Sequence, residues 1–133
     1  MGRKFKVEIS SDFDYLWRYN ITLACEQFNA NGERIDFSSV EHKVAEIGSN
    51  LKSAPEGWQR GQKLSLTTSE CDHIALILYL LPHTLPPQKD VDSCSPFKLS
   101  IKVSAGREKV YDKLHYINQW GGDSIELKLP ANL

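Results

Sequence analysis

Two aspartate pairs are the first residues in this chain whose type and spacing suggest chemistry. Asp12-Phe13-Asp14 and Asp90-Val91-Asp92 both fall in segments of turn composition, and Asp123 falls in a third. Calcium takes about six to eight oxygen ligands, so loops that bring several carboxylates together would form a Ca²⁺ site. Asp12, Asp14, Asp90 and Asp92 are the candidate ligands, and this reading requires their loops to converge at one end of the fold. The plainer alternative is that aspartate favours turns because its carboxylate bonds nearby backbone amides. Two tryptophans form a second candidate. Trp58 and Trp120 sit in glycine-rich segments, not on alternating strand faces. Beside Asn118, Gln119 and Asp123, an exposed Trp120 would stack on a sugar ring while the polar groups bonded its hydroxyls. The same patch would also anchor a protein partner. The structural alternative for each tryptophan is to fold back and cover one end of the core.

Catalytic signatures are missing. His42, His73, His83 and His115 sit in no HExxH pattern and in no Cys/His array of zinc spacing. His83 and Cys94 flank the same loop, a proximity that by itself implies no shared role. The chain lacks GxSxG, GxGxxG and GxxxxGK[ST], so neither a serine-hydrolase elbow nor a phosphate cradle is signalled. The expectation is a protein with no catalytic residues and no cofactor.

The elements that must position these residues follow from period-two alternation. Phe5, Val7 and Ile9 alternate with Lys6 and Glu8, and residues 17–28 continue with Tyr19, Ile21, Leu23 and Cys25 on one face. Asn29-Ala30-Asn31-Gly32 is a turn signal, and Ile35 and Phe37 resume the alternation, which makes residues 21–37 a hairpin. Ser38-Ser39-Val40-Glu41 fits a capping box, with Val40, Val44 and Ile47 at helical spacing and Gly48 as a stop. This predicts one short helix near residues 39–47. Residues 48–63 form a Ser/Pro/Gly-rich connection, and Leu64 and Leu66 open the next strand. Residues 73–81 are apolar at both parities, which predicts a central strand covered on both sides. Residues 82–96 form a long proline-rich loop. Phe97, Leu99, Ile101 and Val103 alternate strictly. Residues 107–117 fit either a helical stripe or an imperfect alternation, and the short turn before them favours a strand. Asn118 to Asp123 is a glycine turn, and Ile125, Leu127 and Leu129 share the face of a last strand.

The composition agrees with such an architecture. Of 133 residues, 41% are hydrophobic and 25% charged, with 16 Lys+Arg against 17 Asp+Glu. The apolar content excludes a disordered chain, and the balanced charge argues against nucleic acid as a partner or a polybasic membrane binder. The longest apolar run, residues 74–81, is well short of the roughly 20 that span a bilayer as a helix, so no transmembrane segment is expected. Cys25, Cys71 and Cys94 form no CxxC pair, and no apolar leader follows the basic residues near Met1. These features predict reduced thiols and a soluble, cytoplasmic protein.

The expected fold is therefore all-β: residues 1–133 as a single antiparallel β-sandwich domain of about seven to nine strands with one short helix near 39–47. The hairpin around Asn31-Gly32 and the buried strand before a long loop resemble C2-like and tellurium-resistance-type sandwiches of Greek-key type. Asn20, Thr22 and Ala24 stand where a calcium-binding member of that sort would carry acidic residues, so the resemblance implies architecture alone. The expected function is a non-enzymatic interaction module. It would present its end loops, or an edge strand such as residues 4–9, to a protein partner or to a second copy as a homo-oligomer. The alternative is a sandwich that binds Ca²⁺ or carbohydrate, with Trp58, Asp90, Asp92, Asn118, Trp120 and Asp123 as the candidate binding residues; a hydrolytic enzyme is the minor third reading, since catalytic triads are assembled in space and not in sequence.

Overall fold

The computed structural model describes residues 2–59, 61, 63–85 and 95–130. Among them run eight strands: β1 (Phe5–Ser10), β2 (Tyr19–Phe28), β3 (Arg34–His42), β4 (Leu64–Thr67), β5 (His73–Pro82), β6 (Phe97–Ala105), β7 (Glu108–Ile117) and β8 (Asp123–Leu129). One 3-10 turn, Leu16–Arg18, precedes β2. The strands form two antiparallel four-stranded sheets, ordered β4-β1-β6-β7 and β3-β2-β5-β8, which pack face to face as an all-β sandwich.

Alternation decides which side chains fill the space between the sheets. Phe5, Val7 and Ile9 of β1 and Leu99, Ile101 and Val103 of β6 are buried against Ile21, Leu23 and Cys25 of β2 and Ile74, Leu76, Leu78 and Leu80 of β5. Burying each large apolar side chain stabilises the fold by about 1.5–3 kcal/mol. Cys25 and Cys71 are buried free thiols. Burial, with the neighbouring Cys71 and Glu26 adding to it, pushes the Cys25 thiol up to about 12, and burial also raises Cys71.

The structure corrects three sequence expectations. No helix forms near residues 39–47. β3 runs on to His42, and Ser38, Ser39 and Val40 pair with Cys25, Ala24 and Leu23. The Ser38 hydroxyl accepts a hydrogen bond from Gln27 Nε2 at 2.8 Å instead of capping a helix. Extending an existing ladder satisfies the backbone at once, whereas a short helix must first be nucleated. β5 is central in its sheet, but only one of its faces is covered: Ala75 and Ile77 are half-buried, and Tyr79 and Leu81 are exposed. β1 is not an edge strand, because β4 and β6 pair with it on either side.

Residues 108–117 are the strand that the short preceding turn favours. A bulge explains their imperfect alternation: Val103 pairs with Tyr111 and Ser104 with Lys109, which leaves Val110 as the extra residue. Gly122 closes the β7–β8 turn at φ 67°, and a Cβ added there would lie 2.0 Å from the Leu80 carbonyl oxygen. Gly32, also at positive φ (83°), has nothing within 4 Å of its added Cβ.

Gly122→Ala is therefore expected to cost about 3 kcal/mol or more in urea unfolding, because the backbone itself must move, while Gly32→Ala costs about 1 kcal/mol. Equal midpoints for the two variants would contradict the packing of this turn. In a Cys94→Ser background, Cys25 and Cys71 are expected to react with a disulfide reagent at about pH 8 only as fast as the protein opens, and both at once in denaturant. Rapid labelling of the native protein would place a thiol outside the core.

Candidate functional site

The antiparallel order sends every odd-numbered strand toward one end of the sandwich. The β1–β2, β3–β4, β5–β6 and β7–β8 connections all leave from there, and the short β2–β3, β4–β5 and β6–β7 turns close the other end. Asp12, Asp14, Trp58, Asn118, Trp120 and Asp123 thus belong to one end. Asp90, Asp92 and Cys94 lie outside the described residues.

Sharing an end does not make these residues one site. Trp58 packs against the core and stacks on His42 with ring centres 5.5 Å apart, so it covers the seam between β3 and β4. Asn118 Oδ1 accepts hydrogen bonds from the Trp120 and Gly121 amides at 2.8 and 3.0 Å. Asp123 Oδ1 accepts from the Ser124 amide at 2.8 Å. Trp120 turns its indole Nε1 inward, where it is buried and has no partner among the described residues. Among the described residues, no three His, Cys, Asp or Glu side chains gather in a metal-binding group.

Buried polar side chains tie this end together, and sequence reading missed them. His83 Nε2 lies 2.7 Å from the Trp17 carbonyl and Nδ1 lies 2.8 Å from Thr84 Oγ1. A carbonyl only accepts, so Nε2 donates to Trp17, and in the neutral ring Nδ1 accepts from the Thr84 hydroxyl. Thr84 Oγ1 in turn accepts from the Leu51 amide at 2.9 Å. Both ring nitrogens of His83 are therefore occupied in structure. Asn20 captures the segment after β3: its Oδ1 accepts from the Val44 and Ala45 amides, and its Nδ2 donates to the Ala45 carbonyl at 2.6 Å. At the opposite end, among the short turns, fully buried Gln27 bridges Ser38 and the Ser69 amide. Its inward parity beside Cys25 is the signal that would have marked it.

At the open side of the sandwich β7 and β8 barely touch. There Tyr111, Lys113, His115 and Ile117 point inward, as their pairing with Val103, Ile101, Leu99 and Phe97 requires. The Tyr111 hydroxyl and His115 Nε2 are 2.7 Å apart, and Lys113 Nζ sits 5.5 Å from the Tyr111 ring centre. An inward lysine blunts an edge strand, because a strand added there would have to cover the charge. Burial pushes the Tyr111 hydroxyl up. It holds His115 below its ordinary 6.5, a lowering opposed by Asp123 and assisted by Lys113.

The outer faces of the two sheets differ in chemistry. That of β4-β1-β6-β7 presents Lys6, Glu8, Ser10, Lys98, Ser100, Lys102 and Ser104 on its two inner strands. That of β3-β2-β5-β8 presents Ala75, Ile77, Tyr79 and Leu81 along β5, with Thr22 and Ala24 of β2 beside Tyr79 and Ile77. Tyr79 is 41% exposed, Leu81 49% and, on β3, Phe37 49%. Where Glu26, Ala75 and Lys128 lie side by side, the small alanine leaves a groove of about 540 Å³, walled by the stacked rings of Phe28 and His73.

No family model matches the chain, and no curated protein matches it. The crystal structure of a DUF4425 family protein from Bacteroides ovatus aligns over 97% of this chain and 94% of its own, at 14% identity and a TM-score of 0.43. A likeness of that size carries neither a family nor a function to this chain.

In an NMR titration, the His115 imidazole is expected to show a midpoint below 6.5. Asp123→Asn should lower it further, and Lys113→Gln should raise it. Because the folded value is depressed, the unfolded chain takes up this proton first. His115 therefore subtracts stability only as pH falls below about 6.5. A midpoint at or above 6.5 would contradict the burial of this ring.

Proposed function

We propose that this protein is a non-catalytic interaction module of the cytoplasm that binds a protein through the outer face of the β3-β2-β5-β8 sheet. One observation carries the reading: among the described residues the central strand β5 leaves Tyr79 and Leu81 exposed and Ile77 half-exposed in the middle of its sheet, while the inner strands of the other sheet present lysine, glutamate and serine and its exposed Leu114 and Tyr116 stand on the edge strand β7. Large apolar groups on the middle of a sheet face gain stability from the hydrophobic effect only when something covers them. Tyr79 also has the amphipathic ring that is enriched at binding hot spots, and Ala24 beside Ile77 gives a low surface for a partner to approach. Cys25 and Cys71, buried as free thiols, agree with a reducing compartment. The calcium and sugar alternatives rest on the loop end, where the oxygens of Asn118 and Asp123 accept backbone amides and Trp58 packs on the core. The β5 face is favoured because its exposed apolar groups stand on a central strand, in the middle of a sheet face.

The test is parallel capture from a lysate of the native source, using the wild type, Tyr79→Glu/Leu81→Glu and, as a control on the polar face, Lys102→Glu. Partners held by the wild type and the control are expected to fall at least about tenfold with the double variant. The double variant should keep its melting temperature, since both side chains are already exposed. Equal capture by all three proteins would overturn the assignment of this face.

A further inference from the structure

We infer that the apolar face of β5 is covered by a second copy of this chain, the two sheets stacking about a two-fold axis that runs along β5. This deepens the interaction-surface reading above and rests on it.

The argument is one of charge placement. Across the sheet, Glu26 of β2, Ala75 of β5 and Lys128 of β8 occupy one row, with Ala24, Ile77 and Glu126 in the next and Thr22, Tyr79 and Ser124 in the one after. Neighbouring strands are about 4.8 Å apart, so β2 and β8 flank β5 almost symmetrically. A two-fold axis along β5 keeps each row in place and exchanges its two sides. Glu26 of one copy then faces Lys128 of the other, and the pair occurs twice. Ile77 meets Ile77 and Tyr79 meets Tyr79 along the axis, as a self-complementary interface requires. A two-fold axis across the strands at the Ile77 row would instead set Glu126 against Glu126, a like-charge contact.

Two further observations fit the first axis. Lys128 makes no ion pair among the described residues, while Glu26 has only a 3.4 Å contact with the well-exposed Arg34. The groove of about 540 Å³ over Ala75 lies between Glu26 and Lys128, which is where the two crossing pairs would have to be accommodated. Packed sheets sit about 10 Å apart, a separation that glutamate and lysine side chains can bridge from opposite faces. With the axis along β5 the strands β2, β5 and β8 overlap, and three strands of about eight residues offer roughly 400 Å² of projected face per copy, below standard-size interfaces, so weak association in the upper micromolar range is expected.

Sedimentation velocity of the full chain, from about one to several hundred micromolar, tests the inference. The wild type is expected to pass from monomer to dimer within that range. Tyr79→Glu/Leu81→Glu should weaken the dimer by more than about tenfold, and Glu26→Lys or Lys128→Glu alone by about tenfold, because each reversal turns two attractions into repulsions. The double reversal Glu26→Lys/Lys128→Glu should recover most of the loss, while Lys102→Glu on the polar face changes nothing. Circular dichroism melting of each variant establishes that it is folded. A wild type that stays monomeric throughout, or a double reversal no better than Glu26→Lys alone, overturns the pairing. If the monomer still captures a different protein in a Tyr79- and Leu81-dependent way, self-pairing fails and the interaction-module reading stands; if that capture is also absent, both fail.

Discussion

The structure depends on one ladder. β2 and β5 pair without interruption from Tyr19 opposite Pro82 to Phe28 opposite His73, and every other face assignment is referred to that register. A slip of one residue would move Leu23 and Leu78 to the outside and bring Thr22 and Tyr79 into the core. The sandwich tolerates no such slip, because its two layers share one dry interior. The same constraint creates the apolar outer face: a two-layer fold can cover only one side of a strand that is apolar at both parities.

Polar groups fix what the apolar alternation leaves loose. Gln27 joins β2 to β3 and to the chain before β5, and its two hydrogen bonds satisfy an amide that burial would otherwise penalise. His83 and Thr84 hold the Leu16–Arg18 turn and the segment at Leu51 against the end of β5. Asn20 does the same for residues 44 and 45 by presenting a side-chain amide as though it were backbone. These links give the long connections defined starting points while leaving the core entirely apolar at its centre.

The strands with clean alternation were legible from the residues, because period two survives any packing partner. β6 is the plain case, and β7 became ambiguous only because the extra Val110 shifts its phase. The false helix at residues 39–47 arose from a local capping pattern that a long-range ladder overrode, and nothing near Ser38 announces its bond to Gln27. The run at residues 73–81 showed that both parities were apolar, but how many layers would cover them is a property of the whole fold. Likewise, the loop residues could be named individually, while their shared end required the strand order. Their hydrogen-bond partners required coordinates.

The tight-turn end has a mechanical consequence. Because eight strands bring the chain back to the end where it started, Arg3 bridges Cys71 there and Leu129 pairs with Ile74 close by. Tension applied between the two ends of the described chain would not shear the sandwich along its length. It would peel β8 from β5, beginning at Leu129 and breaking one rung at a time toward Asp123. The first strand lost would be one whose outer face carries Glu126 and Lys128. A pull on the C-terminal side would thus act on the rim of the apolar face before it reached the core.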